Sequence, residues 1–436
     1  MLRAARLFLA AIAILGAGLV VGASPVFAQG TQAAEGESAA NEPTRKTPAM
    51  RERVYTRLSE AQACAEMDDI QCAMRLLTEV REMQGLNSYE TAQLWNFYAF
   101  IYFGQENYRE AIQAYLQVLQ QPDLPLGMET TTRFTLCQLY FQQEQYQESL
   151  NMLDSWFALA DNPNPDAYIL RAQIFYALEQ YRNGIEPVQQ GIRVAQEQGR
   201  AVQENWYRLL NVFYYELEDY PNVIETLRTL IQSWPKREYF IQLSAMYGQE
   251  GNEVAQLALW ETTYEAGWLT RSNELVQLAQ LLLGADIPVK AAKIMQAGLD
   301  DGTIESTETN WRVLSQAWQL AQEDEKAIPA MTRAAALAED GEIDLRLAQS
   351  YQNLARYEEC VETARTAIRK GDLRREDQAN MILGACLFEL KQYGQARTAF
   401  QAAAQDSRSR TNAQSWLDYV NVEEDREQQL QAALRR

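Results

Sequence analysis

Five cysteines are the side chains of this sequence best suited to chemistry, and histidine is missing from all 436 positions. Without histidine the chain lacks the commonest general base, the usual metal ligand and every histidine-based triad. No Cys-x-x-Cys pair occurs, so no redox centre of that type is expected. Cys64 and Cys72 flank a short polar stretch, Met67-Asp68-Asp69, that reads as the turn of a helical hairpin. Placed there, they either staple the two helices with a disulfide contributing about 2–3 kcal/mol or pack as small apolar side chains. Cys360 and Cys386 fall in neighbouring helices and form a weaker candidate pair, while Cys137 reads as core. An odd count leaves one cysteine unpaired. The remaining reactive groups are carboxylates, scattered along helix faces in the pattern of solvated surface with occasional i,i+4 pairing. The expectation is a chain with no catalytic residue, no metal and no cofactor.

Charge narrows the partners. The formal net charge is -20, and loss of residues 1–28, which hold Arg3 and Arg6 but no acid, takes it to -22. Such a surface repels phosphate backbones and anionic headgroups, which argues against nucleic acid. Arg3 and Arg6, the apolar run from Leu7 to Ala23 and the small-residue ending Val26-Phe27-Ala28 read as a cleavable export signal over residues 1–28. The run is long for such a signal, so an uncleaved anchor is the competing reading. Residues 29–49, rich in Ala, Glu, Ser, Thr and Pro, bury too little to order themselves and read as a disordered linker. From Met50 on, no apolar stretch approaches a membrane span, so the mature chain is expected to lack one.

The elements that must position any site repeat along the chain. Small or compact residues recur at Ala73, Ala111, Ser149, Gly184, Val223, Ala255, Ala291, Ala327, Cys360 and Ala396, with gaps clustering in the mid-thirties. They lie in amphipathic second helices, most of them four residues before a bulky one, as in Ala111 with Tyr115 and Ala396 with Phe400. The first helix of each unit carries an apolar-small-x-x-aromatic string such as Leu136-Cys137 then Tyr140. A turn ending in an aromatic joins the two, as at Asn107-Tyr108, Gln145-Tyr146, Gln180-Tyr181, Asp219-Tyr220, Arg356-Tyr357 and Gln392-Tyr393. One hairpin cannot bury its own apolar stripe, so neighbours must stack.

This pattern resembles the tetratricopeptide repeat family, with Trp95, Trp206 and Trp311 near its tryptophan place and Pro235 at its proline place. Most units lack the family's glycine, and the unit around Ala255 is one residue short. The resemblance implies an all-α fold, a right-handed superhelical α-solenoid of about ten hairpins over residues 50–436. The polar tail from Asp418 reads as its capping helix.

In that family the first helices line the concave face. The resemblance therefore points to Phe100, Phe103, Phe134, Phe141, Tyr176 and Tyr215, interleaved with Gln138, Gln173, Gln280, Gln316 and Gln349, as the partner-binding face. Aromatic anchors beside adaptable amides suit an extended peptide or an amphipathic helix. They also suit a sugar chain, whose apolar faces stack on rings.

The opening of the body, Arg45-Lys-Thr-Pro-Ala-Met-Arg-Glu-Arg-Val-Tyr55 with Leu58-Ser59-Glu60-Ala61-Gln62, resembles periplasmic tetratricopeptide proteins associated with TonB, ExbB and ExbD energy-transduction systems. That likeness implies a periplasmic scaffold holding protein partners, TonB-system or outer-membrane components, in TonB-dependent transport. The alternative is a glycan-binding periplasmic module in exopolysaccharide export. The sequence sets no oligomeric state.

Overall fold

The computed structural model describes residues 49–434. The export signal expected at 1–28, and the linker expected at 29–49 except for Ala49, lie outside the described residues. Among the described residues every regular element is a helix, and the chain divides into two units, to Pro235 and from Lys236. The first unit holds five hairpins: α1 (Glu52–Glu66) with α2 (Ile70–Arg81), α3 (Ser88–Gly104) with α4 (Tyr108–Leu119), α5 (Leu126–Gln142) with α6 (Tyr146–Phe157), α7 (Pro165–Ala177) with α8 (Tyr181–Glu197), and α9 (Glu204–Glu216) with α10 (Tyr220–Ser233). The second unit holds five more and a final helix: α11 (Arg237–Gln249) with α12 (Glu253–Glu265), α13 (Ser272–Gly284) with α14 (Pro288–Asp301), α15 (Glu308–Leu320) with α16 (Asp324–Leu337), α17 (Glu342–Asn353) with α18 (Tyr357–Lys370), α19 (Glu376–Glu389) with α20 (Tyr393–Ala403), and α21 (Arg410–Leu434). Each unit is thus a solenoid of stacked hairpins.

The hairpins close where two small residues meet. Twelve positions before the small residue of each second helix stands another in the first, for example Ala99 against Ala111 and Ala348 against Cys360, all fully buried. Small side chains let the helix axes approach, and the polar members satisfy themselves across the seam. Ser149 Oγ donates to the Cys137 carbonyl at 2.8 Å, and Asn211 Nδ2 donates to the Val223 carbonyl at 3.0 Å. At Gly384 an added Cβ would lie 2.7 Å from the Phe400 ring, so the ring occupies the space that a side chain would need.

One register position was misread in the sequence. Ser244 Oγ donates across the seam to the Gln256 carbonyl, and the left-handed turn residue of that hairpin is Gly251, five before Gln256. The corresponding pairs are Asp68 with Ala73, Glu106 with Ala111 and Ala355 with Cys360. Gln256, rather than Ala255, therefore holds the small-residue place, and Ala255 lies one position round the helix, half-buried. The hairpin keeps its length; what it lacks is the small side chain.

The last described helix, α21, buries Ala413 and Val420 and stacks Trp416 on Phe400 with ring centroids 5.2 Å apart. Asp418 and Asn421 are exposed where α19, thirty-four residues earlier, has Gly384 and Leu387 buried.

Candidate functional site

The two classes of expected binding residue separate in the structure. Phe103, Phe141 and Tyr176 each stand eight positions before the small residue of their hairpin and lean on the tyrosine that opens the next helix. Their ring centroids are 5.8 Å from Tyr108, 5.5 Å from Tyr146 and 5.9 Å from Tyr181. Phe388 meets Tyr393 in the same way at 5.7 Å, and Tyr215 holds the same register in the fifth hairpin. These rings hold the hairpin turns shut. Phe134 packs on Trp156 of its own hairpin at 5.0 Å, and Phe100 lies half-buried against the core of the first hairpins. None of these six side chains is fully exposed.

The glutamines differ. Gln280, Gln316 and Gln349 each stand eleven positions before the small residue of their hairpin, and all three are exposed on successive first helices of the second unit. Gln138 and Gln173 occupy the same register in the first unit, half-buried. Gln62 shares it too, and the register alone was enough to find it. The column is therefore one amide per hairpin, six times in ten, interrupted by Phe100, Val212, Ala245 and Ala385.

Beside Gln280 the surface opens into a groove of about 770 Å³ lined by Arg271, Asn273, Val276, Gln277, Thr307 and Asn310, among others. Local bonding shapes its walls. Thr307 Oγ1 caps α15 by accepting from the Asn310 N–H at 3.2 Å, and Asn310 Nδ2 donates to the Glu305 carbonyl at 2.8 Å. Ser272 Oγ accepts from the Glu305 N–H at 3.2 Å, which ties the α14–α15 loop to the start of α13. Sequence reasoning missed Asn273 and Gln277, which share the exposed face of α13 with Gln280 by helical spacing. A primary amide both donates and accepts, so this wall can bond to peptide groups in either sense. Gln349 meanwhile donates to Gln352 Oε1 and Asn353 Oδ1 of its own helix, at 2.9 and 3.0 Å.

The cysteines form two disulfides, Cys64–Cys72 and Cys360–Cys386. Cys137 is unpaired, and burial pushes its thiol up to about 12, which leaves it protonated at neutral pH. No group of three or more Cys, Asp or Glu side chains among the described residues is arranged to hold a metal ion. No described helix is long and apolar enough to cross a membrane.

Residues 92–121, which span most of α3 and α4 and run two residues past it, match the family model of the tetratricopeptide repeat. Among solved structures, a tetratricopeptide repeat protein from Parabacteroides merdae is 14% identical, the match covering 61% of this chain and 99% of that one at a TM-score of 0.35. MamA from Desulfovibrio magneticus RS-1 is 17% identical, over 42% of this chain and 96% of that one, at 0.34. The TPR2AB-domain:pHSP90 complex of yeast Sti1 gives 13% identity, 68% and 99% coverage, and 0.29. A search of curated proteins found no match.

Proposed function

We propose that this chain is a periplasmic, non-catalytic scaffold that holds protein partners, accessory to TonB-dependent transport across the outer membrane. The observation that carries the holding role is the column of exposed amides, Gln280, Gln316 and Gln349, at one register position of three successive hairpins. Repetition at the hairpin period offers an extended partner the same contact at each step, and the -20 charge favours a partner that is not acidic. The two disulfides fit an oxidising compartment, as does the export signal expected at 1–28.

The TonB assignment rests on the likeness of the segment from Arg45 to Gln62. Within it Leu58 and Ala61 are core, and the Arg51 guanidinium and backbone N–H both donate to the buried Glu90 carboxylate. Those residues build the first hairpin, which leaves partner choice to the exposed faces. Affinity capture from a periplasmic extract tests the assignment: TonB-system components should be enriched on the wild-type protein, and their absence above background would defeat it.

The glycan reading requires rings with a free face, whereas Phe103 and Phe141 lean on Tyr108 and Tyr146. Titration with oligosaccharides is expected to be flat.

A further inference from the structure

Three successive hairpins of the second unit, the sixth to the eighth, turn differently from the rest. Elsewhere the second helix opens on a tyrosine, or on Ile70 in the first hairpin, whereas these three open on Glu253, Pro288 and Asp324. The turn-closing tyrosine is missing there, and aliphatic side chains stand out at the same turns. Val254 is 82% exposed and Leu320 56%, with Ile287 and Val289 exposed as well. A single exposed apolar residue is ordinary, but a group of them marks an interaction surface.

Register makes these residues neighbours. Arg356 and Glu325, four and two positions before the small-residue places of the ninth and eighth hairpins, form an ion pair at 3.7 Å. Ile287 and Val254 hold the same two positions in the seventh and sixth hairpins, and Val289 follows Ile287 by two. All three also run against local helix chemistry. Ile287 occupies the N-cap of α14 and makes no cap bond, where Asp69 accepts from the Cys72 N–H at 2.9 Å and Asn252 from the Ala255 N–H at 3.1 Å. Val254 and Val289 are β-branched in the first turn of their helices, which restricts them with little burial in return. Apolar side chains placed where the fold prefers polar ones point to a role outside the fold.

Charge says what covers them. The three turns carry Glu250, Glu253, Asp286, Glu323, Asp324 and Glu325. Their two lysines are already engaged, Lys290 with Glu261 at 2.6 Å and Lys326 with Glu323 at 3.0 Å. A second copy of this chain would bring these acids against themselves, which opposes a symmetric pairing. The Asn252 and Ile287 N–H groups donate to the Tyr247 and Leu282 carbonyls of their own hairpins, both at 2.8 Å, which leaves recognition to side chains.

We propose that the turn edge of the sixth to eighth hairpins is a second docking surface, which takes a basic amphipathic helix of a protein partner. Aliphatic side chains of that helix pack on Val254, Ile287, Val289 and Leu320, and its flanking lysines or arginines meet the acids of the turns. This edge is separate from the amide column, so it stands whatever lies along Gln280, Gln316 and Gln349.

Fluorescence anisotropy on the whole protein tests it, with a labelled amphipathic helical peptide of leucine and lysine and its leucine–glutamate counterpart as probes. The lysine peptide should bind and the glutamate peptide should not. Val254→Ser/Ile287→Asn/Val289→Gln should weaken binding at least about tenfold, and Ile287→Asn supplies the missing cap, which favours folding of that variant. Glu253→Gln/Asp286→Asn/Asp324→Asn leaves the aliphatic side chains in place and should weaken binding as well. Met67→Gln, at an exposed turn position of the first unit, should bind as wild type does. Equal affinity for wild type and either triple variant, or equal binding of the two peptides, would overturn the proposal. A dimer in sedimentation, or flotation with phosphatidylcholine vesicles, that the aliphatic variant abolishes would give the edge to a second copy or to lipid and overturn it too.

Discussion

The ring of Phe213 lies over Gly184, so close that a Cβ on Gly184 would stand 2.3 Å from Cζ of the ring. Phe213 belongs to α9 and is fully buried, which makes this contact the seam between the fourth and fifth hairpins. Gly184→Ala should destabilise the first unit by up to about 2 kcal/mol, because an overpacking cost of about 1–3 kcal/mol is set against the roughly 1 kcal/mol that alanine gains over glycine within a helix. Adding Phe213→Leu should recover part of the loss. Urea unfolding of the single and double variants measures both, and simple additivity would contradict the contact.

Ala355 turns the corner between α17 and α18 with φ of 56°. An L side chain there costs about 1–2 kcal/mol relative to glycine, against roughly 0.5–1 kcal/mol for glycine's extra chain entropy. Ala355→Gly is accordingly expected to stabilise the second unit by about 0.5–1 kcal/mol. The usual sign for this substitution in a helix is the reverse, so thermal unfolding gives a clear answer.

The hairpins were legible in the sequence because the small residues, the turn aromatics and the following bulky residues keep one period. The turn conformation was not. The same left-handed geometry occurs at Asp68, Glu106, Glu144, Glu179, Glu218, Asp286, Gln322 and Lys391, with glycine only at Gly251, so no residue type announces it. Aligning on small residues placed one hairpin at Ala255, since Gln256 does not look like a close-approach residue. The packing of the expected aromatic residues was not legible for a related reason. Phe103 and Phe141 carry the right register for a first helix, but ring-on-ring packing at the turn is a contact between positions that hydropathy cannot pair. Gln280, Gln316 and Gln349 were legible as a column because one register position of three successive first helices carries the same exposed residue type.

Acid should loosen the end of the second unit. The Arg375 guanidinium, donating to the buried Asp377 carboxylate, holds it well below the usual carboxylate range against the opposing effect of burial, with the Ser409 hydroxyl adding to the effect. A depressed carboxylate contributes stability that is fully present above the unfolded pKa, about 3.9 for Asp, and is lost as pH falls below it. Unfolding followed from pH 7 to pH 3 should show a decline beginning near pH 4. Asp377→Asn should be less stable at pH 7 and show a shallower decline.

The amide column makes the sharpest claim. Gln280→Ala, Gln316→Ala and Gln349→Ala together remove three exposed side chains, each expected to change stability by no more than about 0.5 kcal/mol. The decisive measurement is the affinity of a captured periplasmic partner for this triple variant, beside wild type and a Thr262→Ala/Thr332→Ala control on exposed second-helix positions. At least about tenfold weaker binding is expected for the triple variant alone, roughly 1.4 kcal/mol in all. Equal affinity for all three proteins would contradict a partner held along the first helices.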